Sequence, residues 1–251
     1  MNVEILGIMG SGKTTLCRSL NYKFYKKLGY FPAPMSSYLQ IPYDPVLYLS
    51  HFFVKHFIKR NCYRLGKILY NSNVPLKLFK NENESLYNEL EKSYINGNNN
   101  INKNQFKSEE WDYFLALSGF YQRHKIINKR DWFLIDEGFL KSIKHFLVNG
   151  DGSINNEKEF LFDLVPKVDI LIHCKVPSKV AYERLEKRPA GIPPYLKFFD
   201  ESKRLEILDK IDLSNSSMAE FAKKRGVKVI QLNMENNMGQ ITNELLREII
   251  I

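Results

Sequence analysis

The stretch GIMGSGKTT at residues 7–15 constrains this chain more than any other. Gly7, Gly12, Lys13 and Thr14 stand at the spacing glycine, four residues, glycine, lysine, then serine or threonine. The run before it, NVEILGI at 2–8, is apolar, rich in β-formers and ends beside a glycine, so it reads as a buried strand feeding a turn. After it, Leu16, Leu20, Phe24 and Leu28 recur every four residues, which predicts a helix with one apolar face from Thr14 to about Lys27, stopping at Gly29. In that order, strand, loop and helix turn backbone amides inward as an anion nest at a helix start. Gly7, Gly10, Ser11, Gly12, Lys13, Thr14 and Thr15 are therefore expected to cradle a nucleoside triphosphate, with Lys13 reaching the β- and γ-phosphates and the Thr14 hydroxyl on magnesium. The loop names a chemistry without saying where the phosphate goes.

Further apolar runs are spaced along the chain. GYFPAP at 29–34 is a brief second strand candidate, kept short by its prolines. SEEWDYFLALSGFYQRHKIIN at 108–128 carries helical spacing at Trp111, Phe114, Leu115, Ser118 and Tyr121 or Gln122, with Ser108 as a cap. It feeds DWFLIDEG at 131–138, and VDILIHCKV at 168–176 and GVKVIQL at 226–232 are two more buried strands, the last preceded by a helical stretch at 201–224. Strands alternating with helices call for parallel pairing and an α/β fold. The C-terminal QITNELLREII, with Ile241, Leu245 and Ile249 on one face, packs back on the sheet as a helix.

At 251 residues and 44% hydrophobic the chain fits one large domain, 1–251, with an insertion at about 35–108. That insertion is aromatic and basic at 46–70, then polar, with asparagine at six of nine positions in NGNNNINKN, too little apolar surface to offset the entropy of ordering. Cys17, Cys62 and Cys174 form no CxxC pair, arguing against a disulfide framework or a structural zinc site and for a reduced, cytoplasmic setting. The N-terminus shows no secretory pattern, and the greasiest stretch, VLYLSHFFVKHFI, is interrupted by His51, Lys55 and His56 and too short to span a membrane. The net charge of +9 fits nucleic acid, an anionic surface or an anionic small substrate. The best basic segment, KHFIKRNCYRLGK at 55–67, reads first as a solvated helix face over buried aromatics, so nucleic acid is not the favoured partner.

DWFLIDEG places Asp136 and Glu137 where a parallel strand ends, the edge at which open α/β sheets gather ligands. Asp136 is expected to hold magnesium, directly or through water, and Glu137 to orient or deprotonate an attacking group, although a cap on the following FLKSIKHFL calls for the same residue types. PSKVAYERLEKRPAGIP puts Arg184 and Arg188 four apart on a helix that breaks at Pro189 and Gly191. Two guanidinium groups beside such a hinge suit a lid at about 184–200 that closes over the γ-phosphate and excludes water, while an ordinary solvated helix also looks basic. Arg123, on the helix before the acidic strand, is a candidate substrate or phosphate ligand, and the five histidines show no metal-ligand spacing.

In the order and spacing of GIMGSGKTT, YQRHKIINKRDWFLIDEGFLKS and VDILIHCKVPSKVAYERLEKRPAG, the chain resembles the thymidylate kinase and deoxynucleoside kinase branch of the P-loop nucleoside monophosphate kinase superfamily. The resemblance implies a three-layer fold, with a mainly parallel five-stranded sheet ordered 2-3-1-4-5, helices on both faces and an arginine lid after the fourth strand. It matches Lys13 and Thr14 to the phosphate loop, Arg123 to an arginine on the helix before the third strand, Asp136 to that strand's acid, and Arg184 and Arg188 to the lid. The family usually follows the strand-three acid with arginine, where this chain has Glu137, and carries a carboxylate near the end of strand two, where YFPAPMSSYLQ has none and Asp44 is the first acid beyond. The expected activity is a kinase using ATP and magnesium on a nucleoside, a nucleotide or another small acceptor. The alternative is a nucleotide-dependent regulatory or nucleic-acid-binding ATPase. GTP stays open as donor, although no NKxD-like base-reading motif appears, and so does oligomeric state, a homodimer included.

Overall fold

The computed structural model of the protein describes residues 1–28, 73–95, 110–119, 121–122, 125, 133–189 and 191–250. The chain divides into two compact units, one of Met1–Lys23 with Leu134–Ile251 and one of Phe24–Phe133.

The first unit is built on strand β1, Asn2–Gly7. Val3, Ile5 and Leu6 are nearly fully buried, and shielding each side chain from water is worth about 2 kcal/mol. Helix α1, Lys13–Leu28, follows the loop and buries Leu16 and Leu20 as the four-residue spacing predicts. Strands β2 (Phe133–Asp136), β3 (Ile170–Lys175) and β4 (Lys228–Asn233) complete a four-stranded sheet ordered β2-β1-β3-β4. β1 pairs with β3, and β3 with β4, in parallel, Val3 lying against Ile170 and Ile170 against Lys228. This is the order 2-3-1-4-5 without its second member, and residues 29–34, expected to supply that member, lie outside the described residues. β3 is buried from Ile170 to Cys174, as a strand with neighbours on both sides should be, whereas β4, at the end of the described sheet, exposes Lys228, Gln231 and Asn233.

Helices separate the strands along the sequence, and a last one follows β4. The second unit, described below, contributes α2–α4, so those of the first unit continue with α5 (Phe139–Leu147), α6 (Phe160–Leu164), α7 (Ser178–Glu186), α8 (Pro194–Lys197), α9 (Glu201–Lys224) and α10 (Met238–Ile250). α9 begins where the Asp200 side chain accepts the Lys203 amide at 2.8 Å, a cap that fixes its start. α10 buries Ile241, Leu245 and Ile249 and meets α1 where the Ser19 and Thr242 hydroxyls lie 3.1 Å apart.

In the second unit, α2 (Asn73–Glu82), α3 (Glu84–Ile95) and α4 (110–119, helical again at 121, 122 and 125) share an aromatic core. Phe79 meets Phe114 edge-on at 6.1 Å, and Trp111 stacks on Phe114 at 5.4 Å. One turn apart on α4, Ser118 and Gln122 are buried, and the Ser118 Oγ and Gln122 Oε1 atoms make no hydrogen bond. Among the described residues no helix is long and apolar enough to cross a membrane.

One buried charge ties the first strand to the acidic strand's helix. The Glu4 side chain, in the middle of β1, accepts the Phe139 amide at 2.8 Å and the Leu140 amide at 3.0 Å, taking up two free N–H groups at the start of α5. Burial pushes its carboxyl up to about 7, against the pull of those two hydrogen bonds. The carboxylate leaves room at position 138 for no side chain, since a Cβ on Gly138 would fall 2.3 Å from the Glu4 carboxyl carbon. Gly138→Ala is therefore expected to lower stability by about 1–3 kcal/mol in urea unfolding, and an unchanged midpoint would show that Glu4 moves aside freely. Because Glu4 holds its proton longer folded than unfolded, its contribution to stability falls as pH rises from 4.5 to about 7 and is flat above. The pH dependence of unfolding in that window should lose this slope in Glu4→Gln.

Candidate functional site

The loop between β1 and α1 closes on itself through the Ser11 amide, which donates to the Ile8 carbonyl at 3.2 Å, before α1 starts with the Leu16 amide on the Gly12 carbonyl at 2.9 Å. Gly10 adopts φ +81°, and a Cβ there would lie 2.3 Å from the Ala181 carbonyl oxygen of α7, so the loop is both left-handed and pressed on its neighbour at that point. Gly7 pairs with Cys174 across the sheet. Ser11 is fully buried with its hydroxyl making no hydrogen bond, Gly12 and Thr14 are half-buried, and Thr15 is exposed. Met9 leaves the loop to pack against Tyr182, Leu185 and Leu208.

Lys13 is buried at the mouth of α1, its ammonium donating to the Ile8 carbonyl at 2.9 Å and lying 3.3 Å from Glu137 Oε1. The Thr14 hydroxyl donates to Asp136 Oδ2 at 2.9 Å, so the strand-end acid and the loop hydroxyl that the sequence places 122 residues apart meet. Two hard oxygen donors side by side suit magnesium, which takes one or two protein ligands and draws the rest from phosphate and water. Among the described residues there is no group of three or more His, Cys, Asp or Glu side chains to hold a metal without that help.

β2 stops at Asp136 because Glu137 turns left-handed, φ +66°, the one non-glycine residue to do so among those described, while its amide still donates to Ile5 at 3.0 Å. Such backbone is costly for a side chain with a Cβ and clusters at functional sites. Lys141, one turn into α5, donates to Glu137 Oε2 at 2.8 Å. Burial raises the Glu137 pKa, but the charges of Lys13 and then Lys141 outweigh it and hold the carboxyl down at about 2.

The arginines separate. α7 ends at Glu186, two residues before Arg188, which precedes Pro189 and is thereby steered out of helical backbone, so Arg184 and Arg188 do not share a helix face as the spacing predicts. Arg184 Nη2 donates to the Met234 carbonyl at 3.0 Å, in the loop after β4, and Met234 Cε is in turn 3.4 Å from where a Gly12 Cβ would be. Arg188 is exposed in a turn closed by the Gly191 amide. Arg123 and residues 55–67 lie outside the described residues. From outside the expected lid, Arg204 of α9 clamps α8, with Nε on the Leu196 carbonyl at 2.9 Å and Nη1 on the Tyr182 hydroxyl at 3.0 Å, and Tyr195, within the lid, reaches the Met9 sulfur at 2.9 Å.

Glu4, Lys141, Arg204 and the loop after β4 escaped the sequence reading. Lys141 had a signal, being four residues after Glu137 on a predicted helix, and Glu4 had one in being an acid inside an apolar run.

No protein-family model matches the sequence, and no curated protein matches it. Among solved structures the chain is similar to deoxyadenosine kinase from M. mycoides with products dCMP and a flexible dCDP bound, at TM-score 0.48 and 15% identity over 100% of this chain and 99% of that one. It is similar to the same enzyme with bound dATP at TM-score 0.47 and 16% identity, over 100% of both chains. The structure with bound dCTP gives TM-score 0.41 and 15% identity. With TM-scores below 0.5, the functional reading rests on the site's own geometry.

That geometry has a direct test in Gly10. Gly10→Ala should force the loop off the Ala181 carbonyl and weaken ADP binding in calorimetry about tenfold or more. Wild-type affinity in this variant would show that the contact does not shape the loop.

Proposed function

We propose that the chain is an ATP-dependent phosphotransferase that passes the γ-phosphate to a small acceptor of the nucleoside or nucleotide class. The observation that carries this reading is the meeting of Thr14 with Asp136 at 2.9 Å beside the buried Lys13 ammonium, at the open end of a parallel sheet. The loop amides and Lys13 bind the polyphosphate and orient it along the axis of α1. Magnesium, held by Thr14 and Asp136, would neutralise the β- and γ-phosphate oxygens. Arg184 already stands at the loop after β4, and Arg188 follows on the exposed turn, from which it reaches the transferring group only if the 184–200 segment closes. As Lys13 leaves it for phosphate, Glu137 keeps Lys141 on Oε2 and turns Oε1 to an acceptor hydroxyl to orient it, since a carboxyl held at about 2 is a weak base.

The motif order of the sequence supports the acceptor class, and the proposal extends to Arg123 as an acceptor ligand. The basic segment 55–67, which would favour a nucleic-acid switch, lies outside the described residues.

Incubation with γ-labelled ATP, magnesium and a panel of nucleosides and nucleoside monophosphates is expected to move label to at least one of them. Label recovered only as free phosphate whatever the acceptor would favour a regulatory ATPase instead. Lys13→Ala should lower kcat for the transfer by about 100-fold to 1,000-fold with the fold intact by circular dichroism.

A further inference from the structure

Glu137 is an anion at the mouth of a phosphate loop, where negative charge opposes the ligand the loop holds. Its carboxylate bridges two ammonium groups, with Oε1 3.3 Å from Lys13 and Oε2 accepting from Lys141 at 2.8 Å. Backbone geometry fixes this placement, since φ at Glu137 is +66° and its amide is bound to the Ile5 carbonyl. The start of α5 would ordinarily stabilise a carboxylate on its free amides, but the Phe139 and Leu140 amides are already taken by Glu4. When Lys13 turns from Glu137 to a phosphate, the carboxylate stays behind within a few bond lengths of a polyanion, and like charges in a partly buried site repel strongly.

We propose that Lys141 makes Glu137 compatible with a bound polyphosphate: it keeps the carboxylate by Oε2, neutralises it and releases Lys13 to the ligand. Lys141 is a positioning residue in this scheme, acting on the nucleotide through Glu137, and the scheme rests on the loop being a nucleotide site. Its side chain is only a quarter exposed, so the pairing with Glu137 is partly sheltered from solvent screening.

The test is calorimetric titration of ADP, in EDTA and again with magnesium, into the full chain as wild type, Lys141→Met, Lys141→Arg, Glu137→Gln and the Lys141→Met/Glu137→Gln pair, each checked by thermal melting. Lys141→Met is expected to weaken ADP about tenfold in EDTA. Lys141→Arg should stay near wild type, and the double variant should regain the affinity of Glu137→Gln alone. A lysine that merely anchors α5 would give a loss that persists when Glu137 is neutralised, and that result overturns the proposal, as does wild-type affinity in Lys141→Met. Wild type that binds neither ADP nor ATP overturns the nucleotide reading itself and this scheme with it, whereas binding by wild type with an unaffected Lys141→Met sinks this scheme alone.

Discussion

The Glu4 carboxylate, buried in the central strand and taken up by the first two amides of α5, is the contact on which the site's geometry depends. β1 delivers the phosphate loop and α5 follows the acidic strand, so this side chain, together with the Glu137 amide on the Ile5 carbonyl, holds Lys13 and Thr14 near Asp136 and Glu137. A buried carboxylate is costly unless every lone pair finds a donor. Here a helix start supplies the donors, and the glycine at 138 lets the backbone come close enough to do so.

Much of this arrangement was legible because it follows from period and punctuation. The helix at 201–224 is present over the span expected, and β1, β3 and the C-terminal helix announce themselves by apolar runs that only burial on a sheet can satisfy. Sequence spacing also brought Lys13, Thr14 and Asp136 to one place, since the ends of adjacent parallel strands gather what lies just beyond them. Of the residues it missed, Lys141 acts locally, one helical turn from Glu137, while others act across distance. That Glu4 would serve a helix 135 positions away follows from the third dimension alone, and so does the hold of Arg204 on α8. The pairing of Arg184 with Arg188 on one face failed for a local reason: the proline at 189 acts one residue earlier than a helical wheel allows for.

Electrostatically the loop is self-neutralised. Lys13 is satisfied by a carbonyl and a carboxylate rather than left as an unpaired charge, which the cost of burying an ammonium requires. A ligand must therefore offer more than Glu137 and Ile8 together do, and a polyphosphate with several anionic oxygens meets that condition where a single carboxylate does not.

Met9 gives the loop a second attachment, through packing instead of charge. Its thioether sits among Tyr182, Leu185 and Leu208 and under the Tyr195 hydroxyl, joining the loop to the segment expected to move over it. Sulfur is soft enough to follow such movement, but it is also open to peroxide. A sulfoxide oxygen wedged into that seam would stiffen and crowd it, so oxidant exposure would reach the glycine loop by way of one sulfur atom packed against α7.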